Sequence, residues 1–165
     1  MKGLLLPRTG FILIALLTVG SIAPAMANPV TIHHSIILHR NTLEEDILQL
    51  VNQHRAKLGL APLSNNAVLT TEAEKHSKNM ASRKVPFGHK GFPDRMKTIM
   101  SQVANVQSAA ENVAHGDMTA EEVVNAWLKS PEHKKNIEGN YRITGLGIQK
   151  DKKNGGYYFT QIFAG

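Results

Sequence analysis

From Arg142 to the C-terminus the patterning of the chain changes. Residues 143–149 and 157–164 alternate at period two on either side of Lys152-Lys153-Asn154-Gly155-Gly156. Successive side chains of a strand point to opposite faces, so alternation about a glycine-bearing turn predicts an antiparallel hairpin. Helical spacing dominates before that point, and strands do not alternate regularly with helices. This order predicts an α+β fold, with helices packed on a small antiparallel sheet.

The helices announce themselves through their ends. Thr42-x-x-Glu45 is a capping box, and Leu43, Ile47, Leu50, Val51, His54 and Leu58 follow at helical spacing until Gly59 supplies a C-cap, which predicts a helix over 42–58. Leu69, Ala73, His76 and Met80 mark one face of a second helix. Phe87-Gly88-His89-Lys90-Gly91-Phe92-Pro93-Asp94-Arg95 reads as a loop leading into a short helix with Pro93 near its first turn. Thr119-x-x-Glu122 is a second capping box, followed by the stripe Ala120, Val123, Val124, Trp127 and Leu128, in which Trp127 reads as core. Ser130-Pro131-Glu132-His133 has the order of an N-cap, a first-turn proline and an acid beside the positive helix end.

With 42% hydrophobic residues the chain can bury one core, and with no cysteine it has no disulfide scaffold, thiol nucleophile or thiolate zinc site. Lys2 and Arg8, the apolar run 11–23 and Ala25-Met26-Ala27 have the order of a cleaved signal peptide over 1–27. The run is shorter than the roughly 20 residues a spanning helix needs, and Pro24 interrupts it. The expected product is a soluble periplasmic or secreted protein without a transmembrane anchor, made of a tail over 28–40 and one domain over 41–165. The tail holds His33, His34 and His39 without ligand-like spacing. Two of the 19 basic residues leave with the leader, so the working protein is less basic than the formal +6 suggests. The remaining cations are scattered and not interleaved with aromatics, which argues against a nucleic-acid partner.

Several residues carry possible chemistry. His54 and His76 sit on apolar helix faces and read as packing residues. His89, between two glycine-rich turns, is a candidate site residue. Glu111, in Ala109-Ala110-Glu111-Asn112-Val113-Ala114, needs a partner if buried. A helix N-terminus would keep His133 neutral, able to bind a metal or accept a proton. Ser130 and His133 could be paired as nucleophile and base, but no oxyanion-hole motif surrounds Ser130, which reads better as a cap.

The order Asn52-Gln53-His54-Arg55, Gly59-Leu60-Ala61-Pro62-Leu63, His89, Glu111-Asn112-Val113-Ala114 and Phe159-Thr160-Gln161 resembles the CAP superfamily of cysteine-rich secretory proteins, antigen 5 and pathogenesis-related protein 1. The segment Trp127-Leu128-Lys129-Ser130-Pro131-Glu132-His133-Lys134-Lys135-Asn136-Ile137 is similar to its cysteine-free bacterial SCP-like branch. The resemblance implies a three-layer α-β-α sandwich and an extracytoplasmic protein. It also implies a cleft of two histidines and two acids that can take a divalent cation, zinc first. His89 and Glu111 match one histidine and one acid of that cleft. The second acid falls on Ser130 and the second histidine on Tyr158, so His133, with Glu132 beside it, is the natural substitute.

Two function classes follow. One is a binding or interaction module for a cation or polar ligand, with envelope lipid, glycan or protein as partner. The other is a metal-dependent hydrolase with His89 and His133 as ligands and Glu111 as general base. The separated motifs lack the local H-E-x-x-H logic of a metalloprotease, which favours the binding module.

Overall fold

The computed structural model describes residues 42–165, so the leader and the His-rich tail lie outside the described residues. The elements run α1 (Leu43–Lys57), β1 (Ser64–Asn65), α2 (Ala67–Ala81), α3 (Phe92–Gln102), β2 (Ala109–Gly116), α4 (Ala120–Lys129), α5 (Pro131–Ile137), β3 (Ile143–Lys150) and β4 (Tyr157–Ala164). Both capping boxes form: Thr42 and Glu45 open α1, and Thr119 and Glu122 open α4. Gly59, just past α1, takes the left-handed conformation (φ 71°) that a helix-ending glycine supplies.

The expected hairpin is the centre of the sheet, with β3 and β4 antiparallel from Ile143↔Ala164 to Lys150↔Tyr157. The expected small antiparallel sheet forms from β2, β3 and β4, with one addition. The order is β1-β3-β4-β2, and the two-residue β1 pairs parallel with β3, so the sheet is mixed. The edge strand β2 pairs antiparallel with β4, placing Glu111 opposite Ile162 and His115 opposite Tyr158.

The sheet is covered on both faces, as the three-layer reading expected. One core joins Ile47 and Val51 of α1, Val123 and Trp127 of α4 and Ile137 of α5 to Leu146, Phe159 and Phe163 of the sheet. The other joins Leu69 and Ala73 of α2 and Ile99 of α3 to Ile143, Ile162 and Ala164. Two outer carbonyls of β2 are occupied: Trp127 Nε1 donates to the Val113 carbonyl and Asn136 Nδ2 to that of Glu111. Side chains of α4 and α5 thereby close an edge that would otherwise be open to another strand.

The Asn52-Gln53-His54-Arg55 segment is a set of pins. Asn52 exchanges hydrogen bonds with the backbone of Leu63, and His54 meets Glu138 at 2.8 Å. Arg55, 2% exposed, donates to the carbonyls of Ala61, Ile137, Gly139 and Tyr141. One guanidinium therefore satisfies the ends of two loops, which is why a charge is tolerated in that position without a carboxylate.

Candidate site at the edge of the sheet

Glu111 lies on the α2/α3 face of β2, and only 1% of its side chain is exposed. A buried carboxylate requires compensation, and Arg95 from the first turns of α3 supplies it. Its Nε donates to Oε2 at 2.9 Å and its Nη2 to Oε1 at 2.8 Å, a two-pronged pair. Arg95 Nη1 also donates to the Lys90 carbonyl, tying this pair to the loop before α3. The need for a partner was readable from the apolar surroundings of Glu111. Which cation answers it was not, because Arg95 is one of many scattered basic residues.

His89 sits on that loop, with its Nδ1 at 2.9 Å from Glu111 Oε1 and half of its side chain exposed. The resulting chain, Arg95 to Glu111 to His89, fixes the imidazole from behind and leaves Nε2 as its free end. Behind the loop, buried His76 of α2 meets the Gly88 carbonyl through Nε2 at 2.7 Å and lies 3.9 Å from Glu111 Oε1. His76 is therefore the packing histidine its apolar helix face suggested, and it also braces the loop that carries His89.

The neighbour of Glu111 serves the other face. Asn112 Nδ2 donates to the His133 carbonyl, and Asn136 Nδ2 donates to Asn112 Oδ1. Adjacent residues of one edge strand thus hold the His89 loop on one side and α5 on the other. The His133 ring is half-buried and near enough to feel a charge on His89. Burial first, and then His89, lower its pKa, while Glu132 opposes them.

The remaining candidates divide differently. Ser130 occupies the N-cap position of α5, but its side chain makes no cap hydrogen bond, which corrects the capping role expected of it. Glu132 is exposed in the first turn of α5. Tyr158 is on the same sheet face as Glu111, but its ring packs with His115 at 4.2 Å and Phe87 at 6.2 Å. Arg95, His76, Asn112 and Asn136 hold the site together without having been singled out as site residues.

The three-ligand set His89, His133 and Glu111 does not fit a divalent cation as arranged. Both Glu111 oxygens are committed to Arg95 and His89, and a guanidinium in the same shell repels a second cation. Among the described residues no three His, Cys, Asp or Glu side chains converge as a metal-binding group.

The site also makes a prediction about stability. Burial lowers His76 and His133 below the ordinary histidine value, so the fold disfavours the charged form of both rings and they take up protons more readily when unfolded. The stability they contribute is fully present above about pH 6.5, the unfolded value, and is lost as the pH falls from there through the lower values of the folded state. The urea midpoint should therefore drop between about pH 7.5 and about pH 5.5. A flat profile would show that the two rings titrate as freely in the fold as outside it.

Comparison with known proteins bears on the family and the fold. Residues 48–163 match the cysteine-rich secretory protein family, CAP. The uncharacterized protein YkwD of Bacillus subtilis (strain 168) is 34% identical over 149 residues, covering 87% of this chain and 55% of its own length. This chain therefore spans about half of that relative. The crystal structure of an extracellular protein containing an SCP domain from Bacillus anthracis str. Ames is similar with a TM-score of 0.61 and 26% identity, over 73% of this chain and 39% of that one. An outer surface protein from Borrelia burgdorferi shares the fold, with a TM-score of 0.63 and 24% identity over 76% of this chain and 96% of that one.

Proposed function

This chain belongs to the cysteine-rich secretory protein (CAP) family, and from that premise we propose that it is an extracytoplasmic binding module in which the His89 and His133 side chains take a polar ligand. The observation that carries the reading is the anchored imidazole. A half-exposed histidine, held through Nδ1 by a buried carboxylate, is pre-organised to offer Nε2 to a ligand, and the His133 ring, whose charged form burial disfavours, adds a second polar group. Export is supported by the basic start, apolar run and Ala25-Met26-Ala27, and by the extracellular and outer-surface names of the similar structures. Among the described residues no helix is long and apolar enough to cross a membrane. Lipid, glycan and protein of the envelope are the proposed partners.

A divalent cation is a second reading, favoured by one feature. A carboxylate on Nδ1 is the arrangement that orients a metal-binding histidine, so Glu111 would stand behind His89 and not on the ion. His89 Nε2 and the His133 ring would then hold the ion, with zinc as its first candidate, and the ion would polarise whatever it bound. Against the hydrolase alternative stands the commitment of both Glu111 oxygens, which leaves that carboxylate poorly placed as a general base.

Calorimetric titration with zinc ion separates the readings. The protein should be taken from the exported fraction, where cleavage gives a chain starting at Asn28, and compared with a form lacking the His-rich tail. One-site binding that survives tail deletion and is lost in both His89→Ala and His133→Ala would establish the cation reading. Binding that follows the tail, or none, is expected if the cleft serves a polar ligand. The imidazole signals of His89 and His133 should then shift when solubilised envelope glycan is added. Unmoved signals in every titration would overturn the binding module.

A further inference from the structure

A second feature lies where the end of α2 meets the β3–β4 turn. A groove of about 460 Å³ is lined there by Lys78, Arg83, Lys150, Lys152 and Lys153, with no acidic side chain in its walls. Arg83 is paired with Asp151 at 2.8 Å. Among the described residues none of the four lysines has a carboxylate within ion-pairing distance, so four exposed lysines border one groove, their stems contributing to its largely apolar walls, without internal neutralisation.

The groove is built, and its keystone is buried. The Asp151 side chain is fully covered. Its Oδ1 accepts from the backbone N–H groups of Lys153 and Asn154, shaping the turn that presents Lys152 and Lys153. Its Oδ2 accepts from Arg83 Nη2, which reaches across from the end of α2 and holds the opposite wall. Arg83 is itself one of two non-glycine residues among those described with positive φ, at 58°, a conformation that needs such support. The negative charge of Asp151 is thus spent inside the structure, joining the two walls, while the lysines remain outside and unopposed.

We propose that this groove binds a linear, phosphodiester-linked polyanion that carries no bases. Lysine ammonium groups act as compact point charges toward phosphate, and a groove bordered by them suits a flexible chain better than a flat bilayer surface. The lining contains no aromatic ring, so it offers no platform on which nucleobases could stack. Polymers of this chemistry occur in cell envelopes, and that source rests on the export proposed above. The groove chemistry does not, which keeps the two claims separable.

The test is binding of the full exported chain to poly(glycerol phosphate), compared with a single-stranded oligonucleotide of equal charge and with vesicles of anionic phospholipid. The polymer should bind more tightly than either. Its log-affinity should fall with log-salt at a slope of about −3, as expected when lysines neutralise about four phosphate charges of a single-stranded polyanion. The Lys78→Glu/Lys153→Glu variant should lose about tenfold or more in affinity, while Lys129→Glu on α4 leaves it unchanged. Circular dichroism confirms folding of each variant, and all three positions are exposed. Absence of polymer binding, equal affinity in Lys78→Glu/Lys153→Glu, or oligonucleotide or vesicle binding at least as tight as that of the polymer would overturn the proposal. None of these outcomes bears on the His89 cleft.

Discussion

Replacing Arg95 with methionine is expected to destabilise the fold by about 3–5 kcal/mol, the usual cost of leaving one partner of a buried ion pair alone. The reason is the asymmetry of the arrangement. Glu111 is covered to 1% exposure, and Arg95 is the only full cation on its two oxygens among the described residues. His89, half exposed, donates one hydrogen bond, and His76 stands 3.9 Å away with its charged form disfavoured by burial. Neither can replace a guanidinium that covers both oxygens. The double variant Arg95→Met/Glu111→Leu should recover most of the loss, because exchanging a whole buried pair for apolar side chains is often neutral or better. Denaturant unfolding of the two single variants and the double variant, analysed as a cycle, measures the coupling directly. A cost below about 1 kcal/mol for Arg95→Met would mean that the carboxylate is compensated by something else, and the anchored state of His89 would need another explanation. The double variant separates stability from function. It restores the fold but removes the acceptor behind His89 Nδ1, so ligand-dependent shifts of the His89 ring should be lost even where the protein is stable.

Legibility in the sequence follows how local the cause of each feature is. The starts of α1 and α4 were readable because a capping box is closed within four residues, and the β3–β4 hairpin because alternation and turn residues are adjacent. The strand β2 was not. Ala-Ala-Glu-Asn-Val-Ala-His-Gly shows no alternation of apolar and polar residues, because both of its faces are covered. Its polar members are satisfied by distant partners: Glu111 by Arg95 and His89, and Asn112 by His133 and Asn136. A polar residue facing a buried layer looks like a surface residue until those partners are known. The parallel two-residue β1 was hidden for a related reason, since its sole signal is pairing with residues 143 and 144. For the site, His89 and Glu111 could be named through family resemblance. Their joint dependence on Arg95 and on a loop braced by His76 is a property of the packed structure.

The alanine variants Gly145→Ala and Gly147→Ala should each destabilise the protein by about 3 kcal/mol or more, the upper end for overpacking, because the obstruction is backbone. A Cβ on Gly145 would lie 2.1 Å from the Thr70 nitrogen and 2.3 Å from the Leu69 carbonyl carbon. On Gly147 it would lie 2.1 Å from the Glu74 nitrogen and 2.3 Å from the Ala73 carbonyl carbon. Two residues along β3 advance about 6.6 Å and one turn of helix about 5.4 Å, so both glycines meet α2 at the same phase of successive turns. The helix backbone rests directly on the strand, and a methyl group at either point must lift it. Gly59→Ala makes the comparison informative. That glycine has a positive φ and open space around it, so alanine there costs only backbone strain of about 1 kcal/mol. Lifting α2 also has a predictable consequence at the sheet edge. Ser77 Oγ donates to the Gly147 carbonyl, and one residue earlier His76 holds the Gly88 carbonyl beneath His89. Gly147→Ala should therefore both lower the thermal midpoint and release the His89 loop, seen as faster amide exchange over residues 88–91. Gly59→Ala should leave that exchange unchanged. Equal, small losses in all three variants would show that α2 can withdraw from the sheet without cost, and close packing would no longer explain how the site is held.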